Sequence, residues 1–511
     1  MPGPSARTAP RRPTRSAARV AKPRVAALLA GALVACSGCQ ESTRPHATSQ
    51  QPRQQQALAT ITAAVEPDHP GPRVPRDFLG LSFEASSLPL IAHYGSHGDL
   101  ARMLRSLGQG LLRFGGVSAD TQAAWSDAQT SRAPWASTTI DEADLLGLRR
   151  LARASGWRIV LTVGLAHFEP RAAARETAAA ERALGPLLAG VELGNEPDAY
   201  GRHRLRAQPW TLARYDADVT AYRRAIAELA PRVPLFGPDL SGSLIFKRWG
   251  AAYAHTQQPT VLTGHHYPLG CRQIPRPSIA RLLSEPTRQA EDQSLDRYMA
   301  VARRARIPFR LDETGSVSCG GTAGISDTFA ATLWALDYIG HAIQAGVAGV
   351  NFEGNPARCT GYTALCATSA AALARGVLSA RPEWYALLAA RSLIGERPIG
   401  VARTGAQANV DVLATIGARR TLHVLIVDDA GPSARDGLLS LRLPGGYAYA
   451  SALSLSAAAA AATSVRFGGR AVGPDGFWQG PSRQPLPVTR DRLTLALAPS
   501  SAMLLTVHAG R

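Results

Sequence analysis

The sequence predicts a (β/α)8 barrel followed by an all-β sandwich. Three observations carry this. Between residues 77 and 397, eight apolar runs of strand length alternate with amphipathic helical stretches. After residue 398 the strand-like pieces follow one another across Gly/Pro turns, with no helices between them. Two of the barrel runs, the fourth and the seventh, end in a glutamate, the position where barrel enzymes keep their chemistry.

The eight runs are 78–83, 111–117, 159–165, 191–193, 235–240, 261–266, 309–312 and 347–352. Helical patterns lie between them, for example over 142–154, 210–229, 278–306 with a break at Pro286, and 327–345. Strand–helix alternation needs a parallel sheet with crossovers, and eight units close a barrel. An open doubly wound sheet would want a Gly-rich phosphate turn after its first strand, and Leu79-Gly80-Leu81-Ser82-Phe83-Glu84 is not one. The later strands are expected at 410–416, 421–427, 438–443, 448–455, 493–497 and 503–507. The expected domains are 77–397 for the barrel and 398–511 for the sandwich, with a strand within 57–76 joining the latter. The alanine run 457–462 reads as a short helix or a surface loop.

The first 36 residues read as a signal segment. A basic stretch precedes the apolar run 25–34, which is too short to span a membrane. The run ends in Leu33-Val34-Ala35-Cys36, which resembles a bacterial lipoprotein cleavage box. Cys36 is therefore the expected lipidation site, with ordinary cleavage as the alternative. Residues 37–56 read as a disordered tether. The expected location is exported, periplasmic or at the cell surface, and lipid-anchored through Cys36.

The formal net charge is +18. Residues 1–56 hold nine basic residues against one acid, a net of +8. The rest is scattered, and only Lys22 and Lys247 are lysines. No zinc finger, aromatic-basic motif or arginine-rich helix accompanies it, so no nucleic-acid partner is expected. Export permits disulfides. Cys359 and Cys366 bracket a short loop, which leaves Cys271 for Cys319; four cysteines allow three pairings, so this is a preference.

Glycoside hydrolysis needs two carboxyl groups across one bond. Glu196, in Gly194-Asn195-Glu196-Pro197, and Glu313, in Asp312-Glu313-Thr314-Gly315, end strands four and seven on one face of the barrel. A separation of about 5.5 Å would give retention of configuration. Asn195 is placed to donate to a sugar 2-hydroxyl. Arg113 is placed to keep Glu313 charged, and Tyr267 to hydrogen-bond it. Glu84 and Tyr362 are candidate sugar ligands. Trp125, Trp135 and Trp249 are weaker ones, more often packing residues. His265 and His266 lack a third ligand at useful spacing, so no metal is expected. Asp198 and Asp239 read as loop or capping residues.

The ordered set resembles glycoside hydrolase family 79, the β-glucuronidase and heparanase-like group. It runs from Leu79–Glu84 through Leu112-Arg113-Phe114-Gly115-Gly116, Glu192–Pro197 and Asp312–Gly315 to Asn351-Phe352, Tyr362 and Arg381-Pro382-Glu383-Trp384-Tyr385. The resemblance implies Glu196 as acid/base and Glu313 as nucleophile of a retaining β-glycosidase, glucuronidase-like, with no metal or organic cofactor. Two departures bear on the sugar. The stretch after the nucleophile position is Ser316-Val317-Ser318-Cys319-Gly320-Gly321, without the Tyr and amide that hold a uronate, and Glu353 follows Phe352. A neutral glycoside, such as an arabinofuranoside or β-glucan, is the alternative substrate. A surface carbohydrate-binding lipoprotein without turnover is the alternative from another class.

Overall fold

The computed structural model describes residues 59–510, apart from 130–132, 406–408, 432–433, 435, 482 and 484. The expected signal segment 1–36, the tether 37–56 and Cys36 lie outside the described residues.

Eight parallel strands form the central sheet: β1 (Leu79–Glu84), β2 (Leu111–Gly115), β3 (Arg158–Val163), β4 (Leu188–Leu193), β5 (Phe236–Leu240), β6 (Val261–His266), β7 (Phe309–Thr314) and β8 (Gly349–Gly354). Their order is β4-β3-β2-β1-β8-β7-β6-β5. Pairing of β8 with β1 closes one side, Val350 opposite Leu79. The other gap, between β4 and β5, is spanned by a single bridge, Val191 to Leu235, with the Val191 N–H donating to the Pro234 carbonyl at 2.9 Å. The sheet is thus a nearly closed (β/α)8 barrel. Inside it, Arg310 on β7 donates to Asn351 Oδ1 at 2.6 Å and to the carbonyls of Asp77 and Phe78. Asn351 in turn donates to the carbonyls of Leu81 and Leu111. This polar belt ties β7 and β8 to β1 and β2.

Local sequence explains the helices. Over Glu142–Ser155, Asp141 and Asp144 form a reciprocal capping box, and Gly156 ends the helix at φ 79°. The expected break in 278–306 falls ahead of Pro286, between helices Ile279–Leu282 and Glu285–Ala305. Ser284 caps the second helix, and Pro286 lies in its first turn, where a missing N–H costs nothing. Strand β4 begins at Leu188, three residues before the expected run. Gly190 lowers strand propensity there but is required, because a Cβ would meet the Phe236 ring at 2.6 Å.

The C-terminal module is a ten-stranded, mainly antiparallel sheet that curls into a sandwich. Strand Ala59–Glu66, which precedes the barrel in sequence, lies in this sheet. It is antiparallel to Arg397–Gly405 and parallel to Gly437–Arg442. Ile61, Val65, Val424, Leu439 and Leu505 share its core. Of the two forms expected for the alanine run 457–462, the surface loop is the one observed, and it is tied to the barrel. The Ala462 and Ala460 carbonyls accept from the N–H groups of Phe329 and Ala330, at 2.7 and 2.8 Å. They satisfy the first donors of helix Phe329–Ala345, which has no side-chain cap. Among the described residues no helix is long and apolar enough to cross a membrane.

One buried acid sets a pH dependence. Glu383 is 1% exposed and neither carboxylate oxygen has a hydrogen-bond partner. Burial pushes its pKa up to about 8. The folded chain therefore keeps a proton that the unfolded chain releases near 4.5, and stability falls as pH rises from about 4.5 to 8. Glu383→Gln is expected to melt like the parent at pH 4 and later than it at pH 9. The gain is on the order of a few kcal/mol. Equal pH slopes in the two proteins would contradict this.

Candidate active site

The tip of β4 is built by backbone geometry. Gly194 (φ 76°) turns the chain, and a Cβ there would meet Tyr200 Oη at 2.2 Å. Asn195 donates its N–H to Asp120 Oδ2 at 2.9 Å. Glu196 is left-handed, with φ 49° and ψ 51°. That conformation costs about 1–3 kcal/mol for a non-glycine residue. It is held by the Glu196 N–H donating to the Asp239 carbonyl at 2.9 Å and by the Ala199 N–H donating to the Glu196 carbonyl at 2.8 Å.

The tip of β7 is shaped by a register shift. Against β6, pairing jumps from Leu311 to Glu313, and against β8 from Leu311 to Thr314. Strict alternation would send Asp312 and Glu313 to opposite faces. The bulge lets both reach Arg113, Asp312 at 3.6 Å and Glu313 at 2.9 Å. A similar shift in β5 falls at Asp239, where φ is 60°.

Arg113 on β2 is the hub. It is fully buried, and all five of its N–H groups are used. Nε donates to Glu192 at 2.9 Å, Nη1 to Ser82 and Glu313, and Nη2 to Asn195 and Asp239. Burial alone would lower its pKa; Asp239, Glu192, Asp312 and Glu313 hold it well above the ordinary value instead. The pairing expected with Glu313 is present, as one arm of a larger network.

Glu196 and Glu313 face each other. One carboxylate oxygen of each lies, together with a His265 ring nitrogen, in a group whose atoms are all within 4.8 Å of one another. Glu313 accepts from Arg113 and, at 2.8 Å, from the Tyr267 hydroxyl. Its side chain is 10% exposed, against 29% for Glu196. His265 Nδ1 lies 3.0 Å from Glu196 Oε1 and Nε2 lies 2.7 Å from Asp239 Oδ1. Burial would lower the pKa of His265; the carboxylates of Glu313 and Asp239 and the bonds to Asp239 and Glu196 hold it well above the ordinary value. It is an imidazolium between acids. Burial, Asp239 and Glu192 push Asp312 well up, so it is a neutral acid beside its charged neighbours.

The remaining candidates divide. Asn195 directs Oδ1 to Arg113, which leaves its amide NH2 as donor. Tyr362 stacks on Tyr267, with ring centroids 5.7 Å apart, and its hydroxyl accepts from the Gly320 N–H at 3.0 Å. Glu84 accepts from the Ser118 N–H at 2.8 Å. Burial raises its pKa, and Glu313 adds to that. Glu353, 5% exposed, is pushed well up by burial, Glu313 and Glu84. Trp125 and Trp249 are core residues, and Trp135 stacks on His167 at 3.9 Å. Cys271 is bridged to Cys319 and Cys359 to Cys366.

Sequence reasoning missed Glu192, His265 and Asp312, and took Asp239 for a capping residue. Asp239 is instead buried and bonded to both Arg113 and His265. All four sit on barrel strands, where alternation could have marked them as inward-facing polar residues. A groove of about 1200 Å³ on the barrel wall, lined by Leu244, Lys247, Arg297 and Arg304, shares no residue with this site.

Fold and site define a protein built on a (β/α)8 glycosidase fold. No protein-family model matches the chain. A β-glucuronidase of Aspergillus niger is 27% identical over 177 residues, which is 30% of this chain and 32% of that relative's length. The chain thus aligns with about a third of that relative. Among solved structures, a 4-O-α-L-rhamnosyl-β-D-glucuronidase from Fusarium oxysporum 12S, in complex with Rha-GlcA, superposes with a TM-score of 0.71 at 19% identity. It covers 88% of this chain and 100% of its own. The GH51 arabinofuranosidase of Xanthomonas axonopodis pv. citri gives 0.66 at 13% identity, with the same coverage. These likenesses establish the fold that glucuronidases and arabinofuranosidases share.

Proposed function

We propose that the protein is a retaining β-glycosidase, with Glu313 as nucleophile and Glu196 as acid/base. The observation that carries this is that one oxygen of each carboxylate lies within 4.8 Å of the other, which fits the close pair of double displacement better than the separation of about 6.5–9.5 Å that leaves room for water in an inverting site. Glu313 attacks the anomeric carbon while Glu196 gives its proton to the departing glycosidic oxygen. Glu196 then takes a proton from water, which attacks the same carbon and releases Glu313. Arg113 and Tyr267 hold the nucleophile in place, and the Asn195 amide is aimed to donate to the 2-hydroxyl.

The proposed sugar is a glucuronide-like ring, in keeping with the sequence resemblance. The hydroxyl of Tyr362, which accepts from the Gly320 N–H, is an uncharged donor suited to a carboxylate, and Glu353, held neutral, does not repel one. A neutral glycoside is favoured by a different observation: every Arg113 N–H is occupied, so that guanidinium has none left for a uronate. Export and lipid anchoring through Cys36 belong to the same proposal. The two disulfides suit an oxidising compartment.

The test is a panel of aryl β-glucuronide, β-glucoside and α-L-arabinofuranoside, with the product anomer followed by NMR. The first-formed sugar should keep the substrate's anomeric configuration, and the glucuronide should turn over fastest. Inverted product would refute the mechanism. A preference for a neutral sugar would replace the substrate and leave the mechanism standing.

A further inference from the structure

A second cluster lies where helix Phe329–Ala345 meets the C-terminal module. Asp337 and His341 are one turn apart on that helix and so share a face. Asp411 comes from strand Val410–Ile416 of the sandwich. His341 Nε2 lies 3.6 Å from Asp337 Oδ1 and 3.8 Å from Asp411 Oδ2. These three atoms are buried; Asp337 Oδ1 and His341 Nε2 make no hydrogen bond, and Asp411 Oδ2 is paired with Arg288 at 2.6 Å. Asp337 is 5% exposed, so its oxygen cannot turn to water.

The other ring nitrogen explains the orientation. His341 Nδ1 lies 2.7 Å from Asp292 Oδ1. A carboxylate holding Nδ1–H directs the Nε2 lone pair outward, as at metal-binding histidines. Here it is directed at two carboxylates. Asp411 is also held by Arg288 at 2.6 Å and Arg403 at 3.1 Å. A tetrahedral ion with bonds of about 2.1 Å spaces its ligands roughly 3.4 Å apart, near the observed separations.

We propose that Asp337, His341 and Asp411 bind one divalent cation, Zn²⁺ by donor set, which pins the barrel helix to the sandwich. Arg288 shares Asp411 with the ion, and Asp292 is a positioning residue acting through His341. The site is independent of the Glu196/Glu313 pair, so it stands or falls apart from the glycosidase reading.

The experiment uses the full chain, stripped with EDTA and titrated with Zn²⁺ by calorimetry, with thermal melting in parallel. One equivalent is expected to bind at micromolar Kd or tighter and to raise the melting temperature. Co²⁺ in its place should give the visible absorption of a tetrahedral site. His341→Gln should weaken Zn²⁺ binding at least 100-fold, and Asp292→Asn by about 10–100-fold. His93 and His97, whose rings are 4.2 Å apart, are the competing surface pair, and His93→Ala should keep the equivalent. If His341 is instead an imidazolium paired with its acids, the parent binds no Zn²⁺, gives no Co²⁺ band and melts unchanged in EDTA; that result overturns the proposal. Should His341→Gln fail to fold, the parent's Co²⁺ spectrum and Asp292→Asn decide the matter.

Discussion

Glu313→Ala is expected to lower hydrolysis of aryl glycosides by several orders of magnitude while the protein stays folded. Glu313 is the carboxylate that both Arg113 and Tyr267 hold, and as the proposed nucleophile it would form the covalent intermediate. Truncation also frees an Arg113 N–H and the Tyr267 hydroxyl, which costs some stability. Glu313→Gln separates the effects, because the amide keeps the size of the side chain and an acceptor oxygen. Both variants should lose activity alike, and the Gln variant should melt closer to the parent. Azide, added to Glu313→Ala with a good leaving group, should attack the anomeric carbon directly and yield a glycosyl azide of inverted configuration. A Glu313→Ala enzyme as active as the parent would sink the mechanism.

Arg113→Ala is expected to destabilise the fold more than any other single change at the site. Three carboxylates bond to this one guanidinium, Glu192, Asp239 and Glu313, and Asp312 lies 3.6 Å away. Removing one partner of a buried pair costs about 3–5 kcal/mol, because the charge left behind stays buried. Here more than one is left behind. Arg113→Lys should recover only a minor part, since an ammonium has three donors and no planar fork, and five bonds need filling. Denaturant midpoints of the three proteins measure this directly. An alanine variant within a few tenths of a kcal/mol of the parent would mean that the acids neutralise themselves by taking up protons. Its midpoint would then depend on pH far more steeply than the parent's.

The two variants probe different levels of the molecule. Glu313 and Glu196 are legible in the sequence because each follows a recognisable apolar run and precedes a turn. The hub around Arg113 is not legible in the same way. Glu192 sits inside a motif and reads as part of a strand. Asp239 follows Gly237-Pro238 and reads as a turn. His265 stands next to His266 and shows no sign of which ring faces inward. Their partners lie 26 to 152 residues away along the chain, and no local pattern encodes such a pairing. Nor does periodicity show that β7 carries a bulge at Asp312, which brings two successive acids to one guanidinium.

The sequence alone determined the alternation that makes a barrel, the change to strands that makes a sandwich, and the two strand ends that carry glutamates. These follow from short-range chemistry: apolar periodicity, turn residues, and the break that proline imposes on a strand. Only the tertiary structure decided that Asp239, His265, Glu192 and Asp312 converge on Arg113, that an alanine run caps a helix, and that Asp337 and His341 meet Asp411 from another module. Those outcomes depend on how the barrel closes and in what register, and closure is a property of eight strands together.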